Sequence, residues 1–118
     1  MKISVSRTSD EFSYVAISGN VTTHDLPENK DQFQDLLGPT AYSQKILLDM
    51  SQVAFIDSTG VGWLLASSKK LNQAGGKLVI HSLQSAVVNI FKVLKLERVL
   101  SLANNNGEAE QAARGTKA

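Results

Sequence analysis

Short apolar runs alternate with longer amphipathic stretches through the second half of the chain. Residues 46–50 and 77–81 are apolar runs of the length that strands covered on both faces have. Between them, four apolar side chains share one face of a helix that ends near Gly75 and Gly76: Val61, Leu64, Leu65 and Leu71. Because such a helix is a right-handed crossover between parallel strands, the pattern predicts an α/β fold with a largely parallel sheet.

The N-terminus predicts an antiparallel hairpin. Ile3 and Val5 alternate with polar residues, and residues 12–17 are rich in β-branched and aromatic side chains. A short polar link joins the two runs, as in a hairpin. The predicted sheet is therefore mixed but mostly parallel.

A helix is predicted after the hairpin, with Asp25 as its N-cap and Gly38-Pro39 as its stop. Pro27 and Glu28 suit its first turn. Its apolar face consists of Phe33, Leu36 and Leu37.

The last predicted helix spans residues 85–96, and an edge strand spans residues 99–102. The apolar face of this helix repeats at helical spacing: Val87, Ile90, Phe91 and Leu94. The full order is ββαβαβαβ, with the helices packed against the sheet. We expect one domain over residues 1–103 and a tail over 104–118 that is either a short helix or disordered.

Composition excludes several classes of function. The chain has 118 residues, a net charge of +1 and no cysteine, which excludes disulfides and thiolate metal sites. With only His24 and His81 as histidines, we expect neither a metal nor a cofactor. No basic run indicates nucleic-acid binding, and no apolar stretch is long enough for membrane insertion. The N-terminus resembles a strand more than a signal peptide, so we expect a cytoplasmic protein.

One segment carries a family resemblance. An apolar strand ending in Asp49 is followed by Phe-Ile-Asp-Ser-Thr-Gly-Val-Gly at residues 55–62. A helix, Gly75-Gly76, a strand and a helix with Ser-Ala-Val at residues 85–87 come next. This pattern resembles STAS domains, and most closely the bacterial anti-sigma factor antagonists. The order of elements extends the resemblance over nearly the whole chain except the tail.

The resemblance implies a switch at Ser58. In such proteins, a serine kinase that doubles as an anti-sigma factor phosphorylates the serine after the aspartate, here Asp57. A PP2C-type phosphatase removes the phosphate, and the unphosphorylated form binds the anti-sigma factor. We therefore expect a non-catalytic regulator with partner-binding residues around Ser58: Asp57, Thr59, Gly60, Gly62 and Trp63, with Thr22, Thr23 and His24 in the preceding loop.

Two stretches depart from the family pattern. Many members have a Gly-Glu-Leu-Asp-like sequence after the second strand, whereas residues 19–22 here are Gly-Asn-Val-Thr, so both acids are missing. That loop belongs to the partner-facing side in the family, and its change bears on which partner is bound. Lys95 also stands where glycine is common.

Several residues admit a purely structural interpretation. Ser58 suits a helix N-cap as well as a phosphorylation site. Gly60 and Gly62 either allow a tight junction or let a partner approach the backbone. Trp63 points away from the apolar face of its helix, so it is either an exposed interface anchor or is packed under the loop near residues 22–25.

Three alternatives to the antagonist function stay open. A hydrolase would need G-x-S-x-G, but Ile56 occupies the first glycine position, so the sequence does not favour catalysis. A non-catalytic STAS subunit of a stress-signalling assembly is the second alternative. A STAS subunit of a lipid or anion transporter is the third, and a homodimer is compatible with any of them.

Overall fold

A five-stranded sheet with strand order β1-β2-β3-β4-β5 organises the chain. The computed structural model describes residues 1–23 and 32–114. The strands are β1 (Lys2–Thr8), β2 (Phe12–Ser18), β3 (Lys45–Gln52), β4 (Lys77–His81) and β5 (Ser101–Ala103). The helices are α1 (Gln32–Leu37), α2 (Ser58–Gln73), α3 (Ser85–Val93) and α4 (Asn106–Ala113), with short 3₁₀ helices at Ala41–Ser43 and Leu96–Arg98.

The strand pairing confirms the predicted mixed sheet. β1 and β2 are antiparallel, with Ile3 opposite Ile17. The pairs β2–β3, β3–β4 and β4–β5 are all parallel, and Leu48 lies opposite Ile80 at the centre. The predicted order ββαβαβαβ is therefore correct for the strands and for the first three helices, and α4 follows it.

Both faces of the sheet are covered, which explains the unbroken apolar run in β3. On one face, Ile46, Leu48 and Met50 of β3 pack into the core beneath α1, α2 and α3. On the other face, Leu47 packs in a smaller cluster whose remaining buried members are Phe12, Tyr14, Val79, Ala109 and Ala113. Alternate residues of a strand point to opposite faces, so a strand covered on both sides is apolar at successive positions.

Polar contacts add to the apolar packing that attaches helix α4 to the second face. The Tyr14 hydroxyl donates a hydrogen bond to the Glu110 carboxylate, and the Arg7 guanidinium lies 4.1 Å from the centre of the Tyr14 ring. Arg114 donates two hydrogen bonds to Glu11, at 3.0 and 2.9 Å. The bond to Glu110 raises the pKa of Tyr14. For residues 104–118, the sequence allowed either a short helix or a disordered tail. The structure has a helix over Asn106–Ala113 that packs on the sheet.

Two predicted boundaries differ from the observed ones. α3 ends at Val93 and not at residue 96, because Lys95 adopts a left-handed conformation with φ of 55° that interrupts the helix. The following 3₁₀ turn shifts the edge strand from residues 99–102 to Ser101–Ala103. α1 ends before Gly38, whose φ is +85°, as predicted. The predicted first turn at Asp25, Pro27 and Glu28 lies outside the described residues.

The described part of the chain contains neither a membrane span nor a cluster of metal ligands. Over residues 1–23 and 32–114, no helix has the length and apolar character needed to cross a bilayer. In the same ranges, no three acidic, histidine or cysteine side chains group as metal ligands would.

His81 is a buried titratable group at the carboxyl end of β4. It is 4% exposed, lies in register with Asp49 of β3, and places its Nδ1 atom 2.8 Å from the Ser82 hydroxyl. Burial lowers the pKa of His81 below its ordinary value of 6.5, while the charge of Asp49 acts in the opposite direction. The neutral imidazole is therefore the form that the fold accommodates.

We predict that His81 makes stability fall in mild acid. The pKa of His81 is lower in the folded than in the unfolded protein. As pH falls below about 6.5, the unfolded chain therefore binds a proton more readily than the folded one, and the free energy of unfolding decreases. Urea unfolding at about pH 7.5 and about pH 5.5 should show a larger loss for the wild type than for His81→Asn. The same slope in both proteins would contradict the prediction.

Candidate partner-binding site

Two loops meet at the carboxyl edge of the sheet and build the site. After β3 ends, Ile56 forms an isolated parallel bridge with Val21, which follows β2. The Val21 backbone N–H donates to the Phe55 carbonyl at 3.0 Å, and its carbonyl accepts from the Asp57 N–H at 3.2 Å. The loop after β2 is thereby fixed beside the first turn of α2.

The Asp57 carboxylate holds this junction together. Its Oδ1 accepts the Gly60 backbone N–H at 2.9 Å, which makes Asp57 the N-cap of α2. Its Oδ2 accepts the Thr23 backbone N–H at 2.9 Å and lies 3.2 Å from the Thr23 hydroxyl. The hydrogen bond from Gly60, and next that from Thr23, keep the pKa of Asp57 below its ordinary value. Asp57 is therefore an ionised acceptor that bridges helix and loop.

Ser58 is the first residue of α2, and its side chain is exposed. The sequence allowed Ser58 to be the N-cap of α2, but the N-cap is Asp57. Helix capping therefore does not explain why residue 58 is a serine. The Thr59 hydroxyl lies 2.8 Å from that of Thr23, which ties the second residue of the helix to the loop. Of these neighbouring hydroxyl groups, that of Ser58 is left facing solvent.

The other predicted site residues fall into different surroundings. Gly60 is buried, whereas Gly62 is exposed two positions along the same helix. Thr22 is half-buried and Thr23 is exposed beside Asp57. His24 lies outside the described residues.

Trp63 is half-buried, and its ring stacks on Phe33 of α1 with a centroid distance of 5.4 Å and an interplanar angle of 4°. Neither sequence-based interpretation named this partner. A helical wheel gives the direction in which a side chain points, but the helix that it meets depends on the tertiary fold. Trp63 therefore joins α2 to α1.

Phe55 is a candidate contact that the sequence pattern did not indicate. It is 48% exposed, although it is a large aromatic residue. It precedes Asp57 by two positions, on the segment that pairs with the loop after β2. Aromatic residues are enriched among the anchors of protein interfaces, so we count Phe55 as a candidate contact.

The two glycines of α2 differ in the space around them. A Cβ at Gly60 would lie 2.3 Å from the Val21 carbonyl oxygen and 2.6 Å from Ile56 Cγ1. A Cβ at Gly62 would have no neighbour within 4 Å. The close approach at Gly60 is to Val21 of the same chain, so this glycine is needed for the junction, while Gly62 leaves the surface of α2 flat.

We predict opposite effects for alanine at these two positions. Gly60→Ala should lower the free energy of unfolding by about 3 kcal/mol, because a backbone carbonyl has to move. Gly62→Ala should raise it by about 0.5–1 kcal/mol, because alanine favours a helix and finds open space here. Urea denaturation of both variants measures this difference. A Gly60→Ala protein as stable as the wild type would show that the junction is looser than described.

The chain is similar to known proteins of one family. The STAS domain family model matches residues 4–109. The anti-sigma-B factor antagonist of Staphylococcus aureus is 26% identical over 105 residues, which is 87% of this chain and 93% of that protein. Curated relatives of this chain are thus anti-sigma factor antagonists.

Solved structures share the fold. A candidate anti-sigma factor antagonist from Thermotoga maritima superposes with a TM-score of 0.80 at 20% identity, covering 92% of each chain. The anti-sigma factor antagonist SpoIIAA in its unphosphorylated form gives 0.70 at 20% identity, covering 99% of this chain and 100% of SpoIIAA. The phosphorylated form of Bacillus SpoIIAA gives 0.63 at 17% identity, with 98% and 100% covered. Since the family model spans most of the sequence, this chain belongs to the STAS domain family.

Proposed function

We propose that this chain is an anti-sigma factor antagonist that binds a serine-kinase anti-sigma factor while Ser58 is unphosphorylated. Phosphorylation of Ser58 by that kinase releases the complex, and a PP2C-type phosphatase restores the binding form. The observation that carries the proposal is the exposed Ser58 hydroxyl on the first turn of α2, beside a cap that Asp57 supplies. The curated relatives, which are anti-sigma factor antagonists, support the same role.

A phosphate on Ser58 changes the surface more than the fold. It adds about −1.5 to −2 charge at neutral pH. The N-terminus of a helix favours an anion, because its free amides and its dipole are positive there. The ionised Asp57 next to it opposes the new charge, and so does any apolar or acidic surface of a bound partner. The phosphate therefore acts by repelling the partner.

The surface around Ser58 offers both apolar and polar contacts. Phe55 is exposed and Gly62 leaves room for a close approach to α2. Thr23 and Thr59 add hydroxyl groups at the same edge. A kinase that relies on cationic side chains against the loop after β2 finds no carboxylate at Asn20 or Thr22. This departure from the family pattern bears on which kinase is bound.

We predict that charge at Ser58 weakens kinase binding. By isothermal titration calorimetry with the cognate serine kinase, Ser58→Glu should bind at least about tenfold more weakly, which corresponds to about 1.4 kcal/mol. Ser58→Ala should bind like the wild type but accept no phosphate. Ser85→Glu is the matched control, because Ser85 is also an exposed serine at the first position of a helix. Equal loss in both glutamate variants, or none in Ser58→Glu, would contradict the proposal.

We also predict that Ser58→Glu keeps the fold. The hydroxyl is exposed and the cap is provided by Asp57, so no packing contact is lost. Far-UV and near-UV circular dichroism should match those of the wild type. Loss of the near-UV signal would show that position 58 acts by refolding the domain.

Intact mass spectrometry of the chain from its native cells would test the switch in the cell, with the modified residue located by fragmentation. The mass of the native particle separates the remaining alternatives. A monomer or dimer with a kinase bound fits an antagonist. A large symmetric particle would indicate a signalling assembly, and co-purification with membranes would indicate a transporter subunit.

A further inference from the structure

A cleft of about 470 Å³ lies beside β5, the last strand of the sheet. Its walls come from α3, from the 3₁₀ helix at Leu96–Arg98, from β5 and from the start of α4. β5 pairs with β4 on one side and ends the sheet on the other. The volume falls within the range of about 300–1,000 Å³ that small-molecule sites have.

The floor of the cleft is apolar. Phe91 is 1% exposed, and Val88 and Leu102 beside it are half-buried. These side chains belong to α3 and β5, which are held in place by the core on one side of the sheet. A rigid floor of this kind fits a ring-sized apolar group better than a flexible polar chain.

The charged rim carries an excess of carboxylate. Glu97 and Glu108 line the cleft from two different walls, and Lys92 lines it from α3. Glu108 is held in position, because its two carboxylate oxygens accept the side-chain amides of Asn104 at 3.3 Å and Asn105 at 3.2 Å. Lys92, Glu97 and Glu108 are all exposed, so solvent reaches the one ammonium and the two carboxylates alike.

We propose that this cleft binds a small organic cation, an amine attached to a ring-sized apolar body. The ring lies on Val88 and Leu102, with the buried Phe91 beneath them, and the ammonium lies between Glu97 and Glu108. Two carboxylates against one ammonium favour a cationic ligand over an anionic one of the same shape. The site shares no residue with the surface around Ser58, so it stands independently of the function proposed above.

The test compares two probes with the same indole ring and opposite charges, tryptamine and indole-3-propionate. Each is titrated into the ¹⁵N-labelled full-length chain and followed by NMR. Tryptamine should give saturable shifts of the Val88, Leu102 and Asn104 amides and bind at least about fivefold more tightly, which is what one charge pair near 4 Å in water supplies. Equal affinity of the two probes, tighter binding of the propionate, or shifts confined to other parts of the chain would overturn the proposal.

Variants of the rim separate charge from hydrophobic contact. The double variant Glu97→Gln with Glu108→Gln should weaken tryptamine binding about fivefold and leave the propionate unchanged or tighter. Asp10→Asn is the control, because it removes an exposed carboxylate from the distant turn between β1 and β2 and should change neither affinity. Loss of tryptamine affinity in Asp10→Asn to the same extent, or none in the double variant, would contradict a specific site.

Discussion

The contact between the loop after β2 and the first turn of α2 is the constraint on which the candidate site depends. The Val21 carbonyl accepts the Asp57 N–H, and Gly60 lacks the side chain that would push the two apart. The Asp57 carboxylate then reaches Thr23, so loop and helix are fixed together. Because each of these contacts joins segments far apart in the chain, the site exists only once the parallel sheet has brought β2 and β3 side by side.

Capping and exposure are divided between two adjacent residues. Asp57 closes the helix, and Ser58 leaves its hydroxyl in solvent. A serine that capped its own helix would lose that hydrogen bond on modification, and the helix would be weakened. Here the modification proposed for Ser58 removes no internal bond. A reversible chemical change can then alter the surface of the domain while its stability stays nearly constant.

Elements set by a local pattern could be predicted from the sequence, whereas contacts between distant segments could not. The spacing of apolar residues predicted the positions of β3, α2 and β4, because apolar side chains recur at fixed intervals in strands and helices. The Asp57–Thr23 bond and the stacking of Trp63 on Phe33 join residues more than 25 positions apart, and no local pattern encodes them. The early end of α3 was missed for another reason. Lys95 adopts the left-handed conformation without the glycine that normally signals it.

The stacking of Trp63 on Phe33 gives this protein an intrinsic optical reporter. Trp63 is the single tryptophan of the chain, so its emission comes from one known place, between α2 and α1. A half-buried indole responds to changes in solvation, and this one belongs to the helix that begins with Ser58. Events at that end of the helix can therefore be followed in unlabelled protein, in real time and at low concentration.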